Sequence, residues 1–169
     1  MKRFLKIAVG ALLPLVAACD DNGPSNPATS FTATLSGANE VPPVTTTATG
    51  TATFSVSGQE LTYTVNVTAL QNAVVAHIHI APAGENGPVR LNLCGTGDPQ
   101  PPCTSGTGVL ATGTNGTTVG TPAITFDSLL SAMRTGGAYV NAHTSATGCT
   151  PGAPGCNPGG EIRGQIVAE

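Results

Sequence analysis

The feature that most constrains the fold of this chain is a set of short runs in which apolar and polar residues alternate. A period of two puts the apolar side chains on one face of an extended strand, so each run predicts a half-buried β-strand. The runs lie at residues 31–36, 51–57, 61–69, 74–80, 89–93, 138–143 and 161–168. About eight short strands separated by turn-forming segments predict an all-β protein, an antiparallel Greek-key β-sandwich or barrel.

One segment, residues 127–134, predicts a short helix, with Asp127 as its N-cap and Gly136 and Gly137 as the stop. Residues 94–118 consist mostly of Gly, Thr, Pro and Ser, and we expect loops there with one short strand around Leu110. Residues 123–126 predict a further short strand. The predicted fold is therefore a sandwich with a single helix.

The three histidines of the chain lie on strand faces opposite the apolar residues. His77 and His79 lie two residues apart on one predicted strand, and His143 ends another. Neutral imidazole is a ligand that suits copper and zinc, and three of them leave an open coordination position. We therefore predict that any metal bound here is Cu(II) or Zn(II), with affinity falling as the pH drops through about 6.5.

Other polar side chains share these strand faces. Because Glu161 and Arg163 lie two residues apart on one predicted strand, they can face Glu60 or Arg90, and a cross-strand ion pair is the simpler interpretation. Arg163 can also join a polar network beside the histidines. The predicted polar sheet face comprises Tyr139, Asn141, Glu161, Arg163 and Arg90.

The N-terminus predicts export. A basic start is followed by an apolar stretch too short to span a bilayer and then by small residues, which is typical of a signal peptide over residues 1–18. The sequence Val-Ala-Ala-Cys at residues 16–19 resembles the lipobox of bacterial lipoproteins, which implies cleavage before Cys19, lipidation of its thiol and a place in the bacterial cell envelope. Ordinary secretion with a free Cys19 is the alternative. Residues 19–30 lack an apolar anchor and predict a flexible tether before a domain at residues 31–169.

The charge of the chain excludes some classes of partner. Without the predicted signal peptide, three arginines and no lysine remain against nine acidic residues. This excess of acidic groups disfavours nucleic-acid binding, and the absence of lysine excludes lysine-based chemistry. No serine-nucleophile motif is present, so we expect no catalytic residue and a protein that is not an enzyme.

Four cysteines follow Cys19, and an even number in an exported chain predicts disulfides. Three connectivities are open. We favour Cys94 with Cys103 and Cys149 with Cys156, because each pair brackets a loop that little else holds. In the chain-entropy model each such closure contributes roughly 2–3 kcal/mol.

Four stretches together resemble the CHRD domain, a module named after chordin. They are residues 35–43 (LSGANEVPP), 76–79 (AHIH), 139–144 (YVNAHT) and 159–166 (GGEIRGQI). The resemblance spans residues 31 to 168 and implies an immunoglobulin-like β-sandwich, in agreement with the strand pattern. It implies little about activity.

The order of the histidines is also similar to Cu/Zn superoxide dismutase, in which a His-x-His strand and a later histidine supply copper ligands. His77, His79 and His143 match that order, and Arg163 matches the arginine beside that metal. The chain departs from that enzyme in having no further histidine for a bridging ligand. We expect a membrane-tethered module that binds a protein, a glycan or a metal ion, with a copper-dependent redox protein as the alternative.

Overall fold

A computed structural model describes residues 27–95, 100–115, 118–119 and 123–169. Helix α1 covers Phe126–Arg134, and a short 3₁₀ turn covers Gly37–Asn39. The strands are β1 Ser30–Ser36, β2 Thr49–Ser57, β3 Glu60–Leu70, β4 Ala73–Ile80, β5 Val89–Cys94, β6 Gly106–Asn115, β7 Thr118–Val119, β8 Ile124–Thr125, β9 Ala138–Thr144, β10 Ile162–Gln165 and β11 Val167–Ala168. The predicted signal peptide, Cys19 and the tether up to residue 26 lie outside the described residues.

Nine of these strands form one antiparallel sheet, in the order β5-β4-β9-β10-β1-β2-β3-β6, with β11 also paired to β1. Strand β10 returns over a long connection to lie beside β1, so that the order β10-β1-β2-β3 has the Greek-key arrangement. The terminal strands β5 and β6 approach each other, and the sheet therefore nearly closes around one core. The all-β, antiparallel, sandwich-like prediction is confirmed.

The alternating runs bury their apolar residues as predicted. Phe31, Ala33 and Leu35 of β1 are buried, whereas the residues between them are partly or fully exposed. Tyr63 of β3 reaches across the core, where its hydroxyl donates to the Leu93 carbonyl of β5 over 2.7 Å. This bond joins the two halves of the curled sheet.

Strand β6 is longer than the short strand predicted around Leu110. Its glycines and threonines carry little strand signal, but it extends over ten residues, eight of which pair with β3. Gly113 lies against the ring of Tyr63, and a Cβ there would come within 2.5 Å of the tyrosine hydroxyl oxygen. The close approach of a large side chain therefore requires a glycine at a position that propensity alone assigns to a loop.

One predicted boundary is wrong. The N-cap of α1 is Thr125 and not Asp127, because the Thr125 hydroxyl accepts from the Ser128 amide over 3.2 Å and Asp127 lies within the first turn. Strand β1 begins at Ser30, and two residues before it also bond to the rest of the fold. The carbonyl of Ala28 accepts from Arg134 Nε, and that of Thr29 accepts from the Val56 amide.

Both predicted disulfides are present, Cys94–Cys103 and Cys149–Cys156. The first joins the end of β5 to the segment before β6. The second lies within the loop of residues 145–161, which connects β9 to β10. Within the described residues no helix is long and apolar enough to cross a membrane.

Strands β4, β9 and β10 lie side by side, and their register aligns the polar residues in rows. His77 is opposite Asn141, which is opposite Arg163. His79 is opposite Tyr139 in the next row of the same face. Non-local pairing thus gathers the polar side chains predicted from separate stretches of the sequence.

Candidate metal centre

The three histidines form one cluster on the face of β4 and β9. Each offers one ring nitrogen, and these three nitrogens lie within 4.8 Å of one another. His77 Nδ1 and His143 Nε2 are 3.3 Å apart, and the ring centroids of His77 and His79 are separated by 5.5 Å. The predicted ligand set is therefore brought together in space.

Two backbone carbonyls orient the cluster. His79 Nδ1 lies 2.9 Å from the Gly87 carbonyl oxygen, and His143 Nδ1 lies 3.0 Å from the Pro158 carbonyl oxygen. Because a carbonyl only accepts, Nδ1 carries the proton in both rings and Nε2 carries the lone pair. A partner that holds the far ring nitrogen in this way is typical of metal-ligating histidines.

The free nitrogen of His79 is the exceptional atom of the cluster. Its Nε2 is buried and has no hydrogen-bond partner, although a buried polar atom without a partner is costly. His143 Nε2 accepts from His77 Nδ1, which therefore carries a proton when no metal is bound. A metal ion would satisfy His79 Nε2 and replace this bond, while the proton of His77 moves to its own Nε2.

The distances suit a small ion after limited adjustment. Zn–N bonds of about 2.0–2.1 Å place two ligands of a tetrahedral site about 3.3–3.4 Å apart. The 3.3 Å between His77 Nδ1 and His143 Nε2 already has this value. Two such bonds span at most about 4.2 Å, so any pair near the upper separation of 4.8 Å must close as the ion binds.

All three imidazoles are held in the neutral form that binds metals. Burial, followed by the neighbouring His143 and His79 rings, lowers the pKa of His77 to about 4. Burial also lowers the pKa of His79 and of His143, although the carbonyls that accept from their Nδ1 atoms oppose this. The predicted loss of metal affinity near pH 6.5 therefore shifts to more acidic pH.

The polar sheet face is a buried layer beneath two loops. Tyr139, Asn141, Glu161 and Arg163 are each no more than 4% exposed, and Arg90 is half-buried on β5. Tyr139 stacks on His79 with ring centroids 4.8 Å apart. The guanidinium carbon of Arg163 lies 3.4 Å from the centre of the Tyr139 ring, so the phenol ring contacts both an imidazole and a guanidinium.

Glu161 bonds to neutral donors, in contrast to the ion pair interpreted from the sequence. Its carboxylate accepts from the hydroxyls of Thr46 and Thr144, the Gly155 amide and the Asn157 side chain. Burial alone would raise the pKa of Glu161, but these four bonds outweigh it and lower the pKa below its ordinary value. The carboxylate is thus ionised and fully partnered.

Glu40 belongs to the same layer but was not selected from the sequence. It is 5% exposed, and its Oε2 accepts from Asn141 Nδ2 over 3.4 Å, while its Oε1 has no partner. Burial raises the pKa of Glu40 to about 7 against the opposing effects of Arg163 and Asn141. The only sequence signal was its place in the stretch that carries the CHRD resemblance.

Comparison with protein families agrees with the resemblance found in the sequence. The model of the CHRD domain matches residues 31–166. The chain belongs to the CHRD family. No curated protein and no solved structure matches it. The histidine cluster and the buried layer around it therefore lie within a CHRD domain.

Proposed function

We propose that this CHRD domain is an exported binding module whose ligand is Cu(II) or Zn(II), held by His77, His79 and His143. The observation that carries the proposal is the convergence of one ring nitrogen from each of three histidines within 4.8 Å, in a cluster where the buried Nε2 of His79 has no hydrogen-bond partner. A bound ion gives that nitrogen the partner that the protein does not.

The donor set favours copper and zinc over other ions. Three neutral imidazoles suit these two metals, whereas magnesium and calcium prefer carboxylate and carbonyl oxygens. The four described cysteines are paired in disulfides and supply no thiolate. Three protein ligands leave a coordination position for water or a partner molecule.

The environment of Arg163 favours binding over redox turnover. A dismutase-like role for this arginine requires a guanidinium that can receive an anion. Here Arg163 is 2% exposed, and it donates to the Glu85 carbonyl and the Asn86 side chain. We therefore rank a metal-binding module ahead of a copper-dependent redox protein.

Calorimetric titration of copper and zinc into the purified domain at neutral pH tests the proposal. We expect one ion per wild-type chain and no specific binding by a His77→Ala/His143→Ala double variant, because one imidazole cannot hold the ion alone. Glu60→Gln is the matched control, since it removes an exposed carboxylate from the β2–β3 turn.

The control variant should bind like the wild type. Equal binding by wild type and double variant, or no binding by the wild type, would contradict the proposal. A copper-loaded wild type that consumes superoxide would favour the redox alternative. If the wild type binds neither copper nor zinc, the ligand of the module is instead expected to be a protein or a glycan.

Export and lipid anchoring complete the proposed function. They rest on the apolar stretch of residues 7–18 and on Cys19 after two alanines. The paired cysteines of the domain support this location, because disulfides persist in oxidising compartments.

A further inference from the structure

Two buried charged residues near the start of β10 each bind one of the two loops that adjoin the histidine strands. Glu161 is 1% exposed and Arg163 is 2% exposed. The loop of residues 81–88 follows β4, and the loop of residues 145–161 follows β9. Each loop supplies one backbone carbonyl to the histidine cluster, so the position of the loop decides the position of that carbonyl.

Arg163 holds the first loop. Its Nη2 donates to the Glu85 carbonyl over 2.6 Å and to the Pro82 carbonyl over 3.5 Å, and its Nη1 donates to Asn86 Oδ1 over 3.1 Å. The fork of a guanidinium can bind several acceptors at once in a fixed geometry. The next residue after Asn86 is Gly87, whose carbonyl accepts from His79 Nδ1.

Arg163 also reaches His79 through Tyr139. The guanidinium packs over the tyrosine ring, and His79 stacks on the same ring. The Tyr139 hydroxyl accepts from the Gly87 amide over 3.1 Å, so it holds the same residue whose carbonyl accepts from His79 Nδ1. Two routes therefore connect Arg163 to His79, one through the loop of residues 81–88 and one through the Tyr139 ring.

Glu161 holds the second loop in the same way. Its Oε2 accepts from the Gly155 amide over 2.7 Å and from Asn157 Nδ2 over 3.3 Å. It also accepts from Thr144, whose hydroxyl in turn accepts from the Asn157 amide over 2.9 Å. The residue after Asn157 is Pro158, whose carbonyl accepts from His143 Nδ1.

We propose that Glu161 and Arg163 are positioning residues of the metal centre, with Glu161 orienting His143 through the Pro158 carbonyl and Arg163 orienting His79 through Gly87 and Tyr139. The assignment to a metal centre rests on the proposed function, whereas the orientation of the two imidazoles does not. Each charge sets the tautomer and direction of one ring, so that both Nε2 atoms carry lone pairs.

The test uses Glu161→Gln and Arg163→Lys in the whole exported domain. Glutamine keeps the shape but has one oxygen acceptor in place of two, and lysine keeps the charge but lacks the planar fork. Tyr63→Phe is the control, because it removes a buried hydrogen bond to Leu93 that lies outside the histidine cluster. Thr144→Val and Asn86→Ala are milder variants that interrupt the same two connections if the first pair fails to fold.

The readout that separates positioning from general destabilisation is nitrogen NMR of the metal-free imidazoles at neutral pH. We expect Glu161→Gln to change the tautomer populations of His143 while His79 keeps its wild-type signals. Arg163→Lys should do the reverse, and Tyr63→Phe should change neither. Copper and zinc affinity should fall about 10- to 100-fold in both site variants, as for other residues that orient a ligand.

The outcomes distinguish this inference from the proposed function. Selective tautomer changes without metal binding by the wild type would support the orientation by Glu161 and Arg163 and overturn the metal proposal. Weakened metal binding with unchanged tautomers, or changes at both histidines in each variant and in Tyr63→Phe, would overturn the positioning roles. Unchanged affinity and unchanged tautomers would overturn them as well.

Discussion

At the scale of single residues, a buried layer lowers the pKa of three imidazoles and raises the pKa of one carboxyl group, that of Glu40. Burial is the largest cause of the lowered pKa of His77 and of the raised pKa of Glu40. In both cases the uncharged form is favoured, because transfer of a charge from water to a protein interior is costly. For the histidines the uncharged form is the one that binds metals. For Glu40 the raised pKa makes the stability of the fold depend on pH.

We predict that Glu40→Gln removes a stability loss that the wild type suffers at alkaline pH. The folded-state pKa of Glu40 is about 7, above the ordinary value of 4.5. The folded state therefore has its full stability with respect to Glu40 below about pH 4.5, where the carboxyl group is protonated in both states. This stability is lost as the pH rises through 7 and the buried group ionises. Glutamine cannot ionise, so the variant should exceed the wild type by up to about 3 kcal/mol at high pH.

Urea unfolding at about pH 4 and about pH 8 measures this difference. The histidines are the same in both proteins, and their own pH dependence cancels in the comparison. Glu60→Gln serves as the exposed control and should show little difference from the wild type at either pH. A Glu40→Gln effect that does not change with pH would refute a raised pKa for Glu40.

At the scale of elements, the strands position the histidines and two loops orient their rings. The strands bring the histidines to one face, but the ring orientations depend on carbonyls from residues 81–88 and 145–161. These segments contain little regular structure, and the Cys149–Cys156 disulfide closes part of the second one. The two disulfides enclose loops of similar length, but the second is in the loop that contacts a histidine.

We predict that the two disulfides have similar effects on stability and different effects on metal binding. Cys94→Ala/Cys103→Ala and Cys149→Ala/Cys156→Ala should each cost roughly 2–3 kcal/mol, because loop-closure entropy depends on loop length. Removal of Cys149–Cys156 should also lower copper affinity several-fold, because the Pro158 carbonyl becomes less fixed. Unfolding and calorimetry on the same samples decide this, and equal losses of affinity would contradict it.

At the scale of the whole molecule, one curled sheet brings distant parts of the chain into a single polar layer. Glu40 bonds to Asn141, which lies 101 residues further along the chain, and Arg163 reaches back 78 residues to Glu85. Ala28, near the end of the proposed lipid tether, accepts from Arg134 through its backbone carbonyl. If both proposals hold, the lipid anchor keeps the proposed metal centre near a membrane surface.

We predict that Cys19→Ser releases the protein from the membrane fraction, because the lipid acceptor is lost. Fractionation of cells that express wild type and variant measures the change. Cys94→Ala/Cys103→Ala is the control for the replacement of cysteines in general, and it should stay with the membrane. A full-length Cys19→Ser protein that remains membrane-bound would be incompatible with lipid anchoring.

Local patterns account for what was predictable. The period of two places Phe31, His77 and His143 on their correct strand faces, since neighbouring side chains of a strand alternate. The disulfides were predictable because each spans a short loop, with sequence separations of 9 and 7. The extent of β6 could not be predicted, because its Gly113 is required by a contact with Tyr63 on another strand.

The sequence by itself determined the all-β class and the face of its own strand on which each histidine lies, and it favoured the local disulfides, because these depend on neighbours along the chain. Only the tertiary structure decided that two loops cover this face, that the carbonyls of Gly87 and Pro158 orient the rings, and that Glu40 joins the layer. Backbone carbonyls carry no side-chain signature. Their partners are chosen by long-range packing, which no local pattern encodes.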